Sequence, residues 1–247
     1  MLDGATIAAV LLAGALIGAT GIGGVLVVPA LAHLGGVQVP QAIAASALAF
    51  AFPGVAALWW LWRDGTWQWR WSALLAGAMP AAVLAAAAVH HLDARWLFAA
   101  VALLAAFSGL RGFRQKPLGA QRKPPSTGAL AGLGVAVGAG SALTGTGGPV
   151  LLVPALMLWS QPLPMTVALA QAIQLPLALS ATVTHAAAGA LDVQLALVLG
   201  VVLLVGSLTG RAVAKYLPVR GLQILVSLLL VAVGAWFGWL AVHDLLI

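Results

Sequence analysis

Apolar residues fill 63% of the 247 positions and charged residues only 6%, giving a mean hydropathy of +1.09, so lipid rather than water must be the main solvent of this surface. The formal net charge of +6 does not indicate a nucleic-acid binder, because the basic residues sit in short connections between apolar runs and form no aromatic-interleaved face. All the acidic residues are aspartates, Asp3, Asp64, Asp93, Asp192 and Asp244, each at or near the end of an apolar segment, and the absence of cysteine excludes disulfides, thiolate catalysis and Cys-based metal sites.

In chain order, the first apolar stretch, 4–34, is cut by Thr20-Gly21-Ile22-Gly23-Gly24, a cluster that breaks a helix. Met1-Leu2-Asp3 holds no basic stretch of the kind that precedes a cleavable signal, so this segment is expected to stay in the protein. Helices are predicted over 39–62, 71–89 and 94–113, each near the roughly 20 residues that span a bilayer. Trp59, Trp60, Trp62, Trp67, Trp69 and Trp71 surround Arg63 to Arg70 and read as anchors in the headgroup zone. His90-His91-Leu92-Asp93 lacks a third neighbouring ligand group and reads as surface, not as a metal site.

A polar linker, 114–126, contains Pro117, Pro124 and Pro125 with Lys116, Arg122 and Lys123. The next apolar stretch, 127–159, is again cut by glycines, Thr144-Gly145-Thr146-Gly147-Gly148-Pro149, and helices follow over 165–188, 193–210 and 219–242. Gly24-Val25-Leu26-Val27-Val28-Pro29-Ala30-Leu31 aligns with Gly148 to Leu156 if one residue is inserted, so the chain is an internal repeat with halves 1–113 and 127–247.

Charge decides how the broken stretches sit. If each is a re-entrant hairpin, Arg63, Arg70, Arg111, Arg114, Lys116, Arg122, Lys123, Arg211, Lys215 and Arg220 share one side, opposed only by Arg95. Full crossings divide the same cations far more evenly, and the re-entrant form is the better positive-inside pattern. The first half-helix, at about 14 residues and ~1.5 Å each, also falls short of the ~30 Å hydrocarbon core. The expected fold is therefore an all-α integral membrane protein of two inverted repeats, each a re-entrant half-helix hairpin plus three transmembrane helices, with a cytoplasmic linker and both termini outside.

Irregular backbone at membrane depth needs a polar cavity around it. The helix starts after each glycine turn offer unpaired amides and the positive end of a dipole, which suit an oxyanion. The candidate substrate site is thus Thr20, Gly21, Gly23 and Gly24 with Thr144, Gly145, Thr146, Gly147 and Gly148, and Ser141 as a further hydroxyl. Gln171, Gln174, Thr182 and His185 recur on one predicted helix face, and Gln171 and Gln174 are expected to line the cavity, whereas His185 reads as structural. Ala47 and Phe50 are the expected counterparts of the two glutamines in the first half. Gly14 with Gly18, Gly134 with Gly138, and Gly206 with Gly210 have the small-xxx-small spacing of close helix packing. No P-loop Lys-Ser/Thr and no nucleophile-elbow serine is present, so no enzyme is expected.

The doubled Gly-x-Gly-Gly turn with its Val-Pro-Ala-Leu half-helix, in a small chain of about eight apolar segments, resembles the TauE/SafE sulfite exporter family, also called the toluene-sulfonate uptake permeases. The resemblance implies a bacterial inner-membrane transporter of sulfite, thiosulfate or organosulfonates, with the backbone of Gly21, Gly23, Gly24, Gly145, Gly147 and Gly148 contacting substrate. A third glycine common in the family is Pro149 in one copy and deleted before Val25 in the other. The expected partners are a small anionic solute, the lipid bilayer and a second copy in a homodimer, with no cofactor, metal or nucleic acid. An anion channel and a non-transporting membrane subunit are the alternatives. Coupling to membrane potential, to substrate protonation or to Na+ stays open at this level.

Overall fold

The computed structural model describes residues 3–88, 94–114, 125–144 and 148–243, which are mainly helical, with no strand among them. In the first half, α1 (Gly4–Thr20) ends in a turn, a 3-10 segment (Gly24–Leu26) leads into α2 (Val27–His33), and α3 (Val39–Ala49), α4 (Ala51–Arg63), α5 (Trp71–Ala88) and α6 (Ala94–Arg114) follow. The second half repeats this order as α7 (Thr127–Thr144), α8 (Pro149–Leu158), α9 (Leu163–Ala172), α10 (Gln174–Ala187), α11 (Val193–Tyr216) and α12 (Val219–His243). Among the described residues, four segments are long and apolar enough to cross a membrane: Val39–Arg63, Leu163–Ala187, Val193–Tyr216 and Val219–Val242.

Two differences from the sequence reading have local causes. The segments 39–62 and 165–188, read as single helices, are each divided, at Phe50 and at Ile173. Pro53 and Pro176 follow three residues later in both, and a proline cannot donate to the carbonyl one turn behind it, here Ala49 and Ala172. Matching the two breaks places Leu48 and Ala51, rather than Ala47 and Phe50, opposite Gln171 and Gln174, a slip of one register. The helix expected to stop at Gly210 continues to Tyr216, carrying Arg211 and Lys215 on α11 instead of in a loop.

Helix starts are fixed by the few acids. Asp3 caps α1 by accepting from the Thr6 amide (2.8 Å) and the Thr6 hydroxyl, and these bonds hold its carboxyl below the usual carboxylate range. Asp192 caps α11 through Leu195 N (2.9 Å) and receives Gln41 Nε2 from the start of α3 (3.2 Å).

Glycine seams set helix directions. Gly14 and Gly18 lie on Leu203 and Ser207 while Gly206 and Gly210 lie on Leu11 and Ala15, so α1 and α11 run parallel at backbone contact. Gly134 and Gly138 meet Leu74 and Ala78 in the same way, making α7 parallel to α5. Between α6 and α12, Gly109 meets Ser227 and Leu230 while Gly234 meets Ala102 and Ala106, an antiparallel pair. The first helix of each half thus packs on the other half. Without a hydrophobic drive between helices in lipid, such small-residue contacts supply the association.

These directions also fix the hairpins. Both α1 and α3 start at the end of the molecule where α11 starts, the second through Gln41 and Asp192. By Gly23 the chain has doubled back against Ala13, Leu16 and Ile17 of α1. In the second half, α7 starts beside the start of α5, and α8 returns to the same end, where the chain enters α9. The first half-helix has 17 residues, longer than the 14 read from sequence, and at ~1.5 Å per residue reaches about 26 Å.

Cations gather at the second of these ends: Arg211 of α11 pairs with Asp64 at the end of α4 (3.3 Å), and Arg220 Nη2 donates to Phe113 O at the end of α6 (2.5 Å). Trp59, Trp62 and Trp69 are exposed there, as anchors should be. Trp71 is not an anchor; it is buried at 1% exposure among Leu61, Leu74 and Leu130, because it opens α5 on the face turned toward α7. Lys116, Arg122, Lys123 and the His90 to Asp93 loop lie outside the described residues.

A side chain on Gly18 would overlap Ser207 O, whereas one on Gly132 meets nothing within 4 Å. Gly18→Leu is therefore expected to lower the detergent-solubilised protein's Tm by several degrees, an overpacking cost of about 1–3 kcal/mol or more, while Gly132→Leu leaves Tm unchanged. Equal Tm values in both would refute the seam.

Candidate functional site

Thr20 closes α1, and its hydroxyl donates to Leu16 O (2.7 Å) and accepts from Ile22 N (3.1 Å). That hydroxyl is engaged within the turn. Gly21 follows in the left-handed region (φ +78°), the conformation that favours glycine, and donates its amide to Ile17 O (2.8 Å). It packs against Val153, Val167 and Ala170, so the tip of the first hairpin reaches into α8 and α9 of the other half.

After the turn the backbone has donors to spare. Among the described residues, the amides of Gly23, Gly24 and Val25 have no protein acceptor, and neither do those of Gly148 and Val150. Pro149 has no N–H and offers no donor there. Gly24 sits against the ring of Phe50, at the break between α3 and α4. Gly148 (φ +88°) sits against Ile173 and Leu177, at the break between α9 and α10. Each returning half-helix thus begins beside the interruption of the long segment that follows it. Thr144 ends α7, Ser141 is buried one turn earlier, and Gly145, Thr146 and Gly147 lie outside the described residues.

Gln171 and Gln174 flank Ile173 and are 4% and 2% exposed. Gln171 Nε2 donates to Gly18 O (3.3 Å), a carbonyl near the end of α1 whose usual partner, Ile22 N, is taken by Thr20. Gln174 Oε1 is buried without a partner, as is Thr182 Oγ1. His185 is half-buried near the end of α10.

A cavity of about 480 Å³ opens at the cationic end between the α4–α5 and α8–α9 connections. Gly18, Ala19 and Gln171 form part of its wall, and Asp64, Arg211 and Lys215 line it as well. Of the described residues singled out from sequence as substrate-binding, Gln171 belongs to this lining and the glycines of the two turns do not. The sequence reading missed Arg211, Lys215 and Asp64, having placed them in loops. Their signal was the apolar run that continues past Gly210 as Arg211-Ala212-Val213-Ala214-Lys215, one helical turn between the cations.

The sequence profile of the family described as Sulfite exporter TauE/SafE matches residues 6–237. The chain belongs to the TauE/SafE family. It is accordingly a multi-pass membrane protein of a transporter family whose members carry sulfite or related anions. Nothing among the curated proteins or the solved structures matches this TauE/SafE chain. Broken helices are a feature that secondary transporters use.

Replacing Gln171 by Leu keeps much of its volume and leaves Gly18 O buried and unpaired, an expected cost of about 1–3 kcal/mol. Thermal unfolding in detergent checks this, and Gln171→Glu, which cannot donate when ionised, should destabilise as well. An unchanged Tm in Gln171→Leu would show that the bond to Gly18 holds nothing.

Proposed function

We propose that the chain is a secondary transporter moving small sulfur-containing anions, sulfite, thiosulfate or organosulfonates, across a bacterial inner membrane. Residues 1–113 and 127–247 are its two inverted repeats, joined by a cytoplasmic linker at 114–126, with both termini outside. The observation that carries this reading is the pair of glycine-broken hairpins, one leaving from and returning to each end of the molecule, within a TauE/SafE chain. A two-fold that exchanges the halves must reverse α6 against α12, and those helices are antiparallel; this supports an axis in the membrane plane.

The substrate site is the region where the half-helix starts at Gly24 and Gly148 meet the breaks at Phe50 and Ile173. A helix dipole contributes only about 0.3–2 kcal/mol, but each hydrogen bond to a charged group adds roughly 1.5–3 kcal/mol, so the spare amides carry most of the binding. A carrier is favoured over a pore because no described residue from the Asp3 and Asp192 end lines the cavity, whose wall includes Gly18 and Gln171. The two proline-marked breaks give the long segments places to bend as access alternates.

The cysteine-free chain suits accessibility labelling of intact cells. Single cysteines at Ala5 and Gln38 are expected to react from one side, and those at Ser126 and Trp159 from the other. Reaction of Gln38→Cys from the side opposite Ala5→Cys would make 4–34 an ordinary crossing and remove the hairpin.

Flux tests the site itself. A Cβ on Gly24 would stand 3.1 Å from the Phe50 ring, tight but tolerable, whereas Gly148 combines a left-handed φ with overlap on Leu177. Gly24→Val is therefore expected to insert normally and to cut thiosulfate or sulfite flux into proteoliposomes at least tenfold, while Gly148→Val loses fold and flux together. Undiminished flux in Gly24→Val refutes the site.

A further inference from the structure

We propose that Arg211 and Lys215 form a second oxyanion site, in the vestibule, where the Asp64 carboxylate acts as a built-in stand-in that the arriving anion displaces. This rests on the anion-transport reading and adds a ligand site outside the glycine half-helix starts.

The two cations lie one helical turn apart near the end of α11 and both line the cavity of about 480 Å³. Asp64, on the opposite wall, accepts from Arg211 at 3.3 Å through one nitrogen and one oxygen. Among the described residues no carboxylate pairs with Lys215. Arg211 and Lys215 together carry two positive charges, which a divalent oxyanion such as thiosulfate matches once it displaces Asp64. Walls such as Leu61, Pro164 and Val167 exclude part of the screening water, which strengthens the attraction.

Two features make the pair exchangeable. Asp64 is 49% exposed and Arg211 24% exposed, so their contact belongs to the weak class of ion pairs. The guanidinium is also held independently of Asp64, stacked 5.2 Å from the centre of the Trp60 ring, which takes Arg63 at 5.3 Å as well. Released from the carboxylate, Arg211 keeps its place, and its planar fork suits a tetrahedral or pyramidal oxyanion bound through two oxygens. Asp64 ends α4 of the first half and Arg211 belongs to α11 of the second. Anion binding thus also removes one tie between the two halves, in the cavity that Gly18 and Gln171 line as well.

The test compares wild type with Asp64→Asn, Arg211→Gln, Arg211→Lys and Lys215→Gln in full-length protein, using thiosulfate as probe. Equilibrium binding by calorimetry at low ionic strength is read beside uptake into proteoliposomes. Removing the competing carboxylate is expected to tighten thiosulfate binding about two- to fivefold, the range of an exposed ion pair. A gain of this kind cannot come from misfolding. Arg211→Gln is expected to weaken binding at least tenfold, with Arg211→Lys between it and wild type and Lys215→Gln several-fold weaker than wild type. Wild-type affinity in Asp64→Asn, or retained affinity in Arg211→Gln, overturns the vestibule site while wild-type uptake leaves the transport reading standing. Arg211-dependent binding without uptake of thiosulfate, sulfite or taurine overturns the transport reading and keeps the site. No binding by wild type overturns the vestibule site, and uptake then decides the transport reading separately.

Discussion

A peptide amide inside hydrocarbon finds no water, so a chain that stops its helix there must supply other partners or keep the gap near a polar space. This protein interrupts its helices at the two glycine turns and at the two proline-marked breaks, and the described parts of the structure show how the debt is met. Thr20 bonds both sides of the first turn, Gly21 returns its amide to α1, and Gln171 reaches across from α9 to the carbonyl of Gly18. What stays unpaired is a short run of amides, at Gly23 to Val25 and at Gly148 and Val150. Donors left over in a lipid-solvated protein are costly, and the proposed transport site would pair them with a charged solute.

The breaks and the turns belong together. Gly24 rests on Phe50 and Gly148 on Ile173, so the start of each returning half-helix is packed against the weakest point of the next long segment. Gly54 in turn approaches Leu175 at backbone distance, bringing the two interrupted segments into contact just past their breaks. Irregular backbone from both halves is thereby concentrated in one region, while the outer seams of α1 with α11, α5 with α7 and α6 with α12 remain regular helix on helix.

Much of this was legible in the residues, because long apolar runs and glycine clusters are strong local signals. The segment boundaries at Trp71, Val193 and Val219, the two helix-breaking turns and the close packing at Gly14, Gly134 and Gly206 all follow from composition and spacing. The breaks at Phe50 and Ile173 were missed although Pro53 and Pro176 announced them, since both runs are long and mainly apolar and read as continuous. The bonds of Thr20 to Leu16 and Ile22, which give its hydroxyl a structural role in the turn, are set by the turn's geometry and were not legible in the residues. Arg211 and Lys215 were assigned to the surface because charge near the end of an apolar run is usually topogenic. Where Asp64 sits relative to them is a matter of tertiary packing that no local pattern encodes.

The parallel pairing of α1 with α11 and of α7 with α5 has a consequence for how the chain is made. A ribosome delivers α1 long before its partner exists, so the opening hairpin must wait in the bilayer, its small-residue face uncovered, until the chain has grown past Gly210. The second hairpin meets no such delay, because α5 is already in place when α7 emerges. Assembly is thereby biased toward closing one arm of the molecule early and the other at the very end of synthesis, and the completed fold is interlocked so that neither half can be withdrawn without unzipping the other.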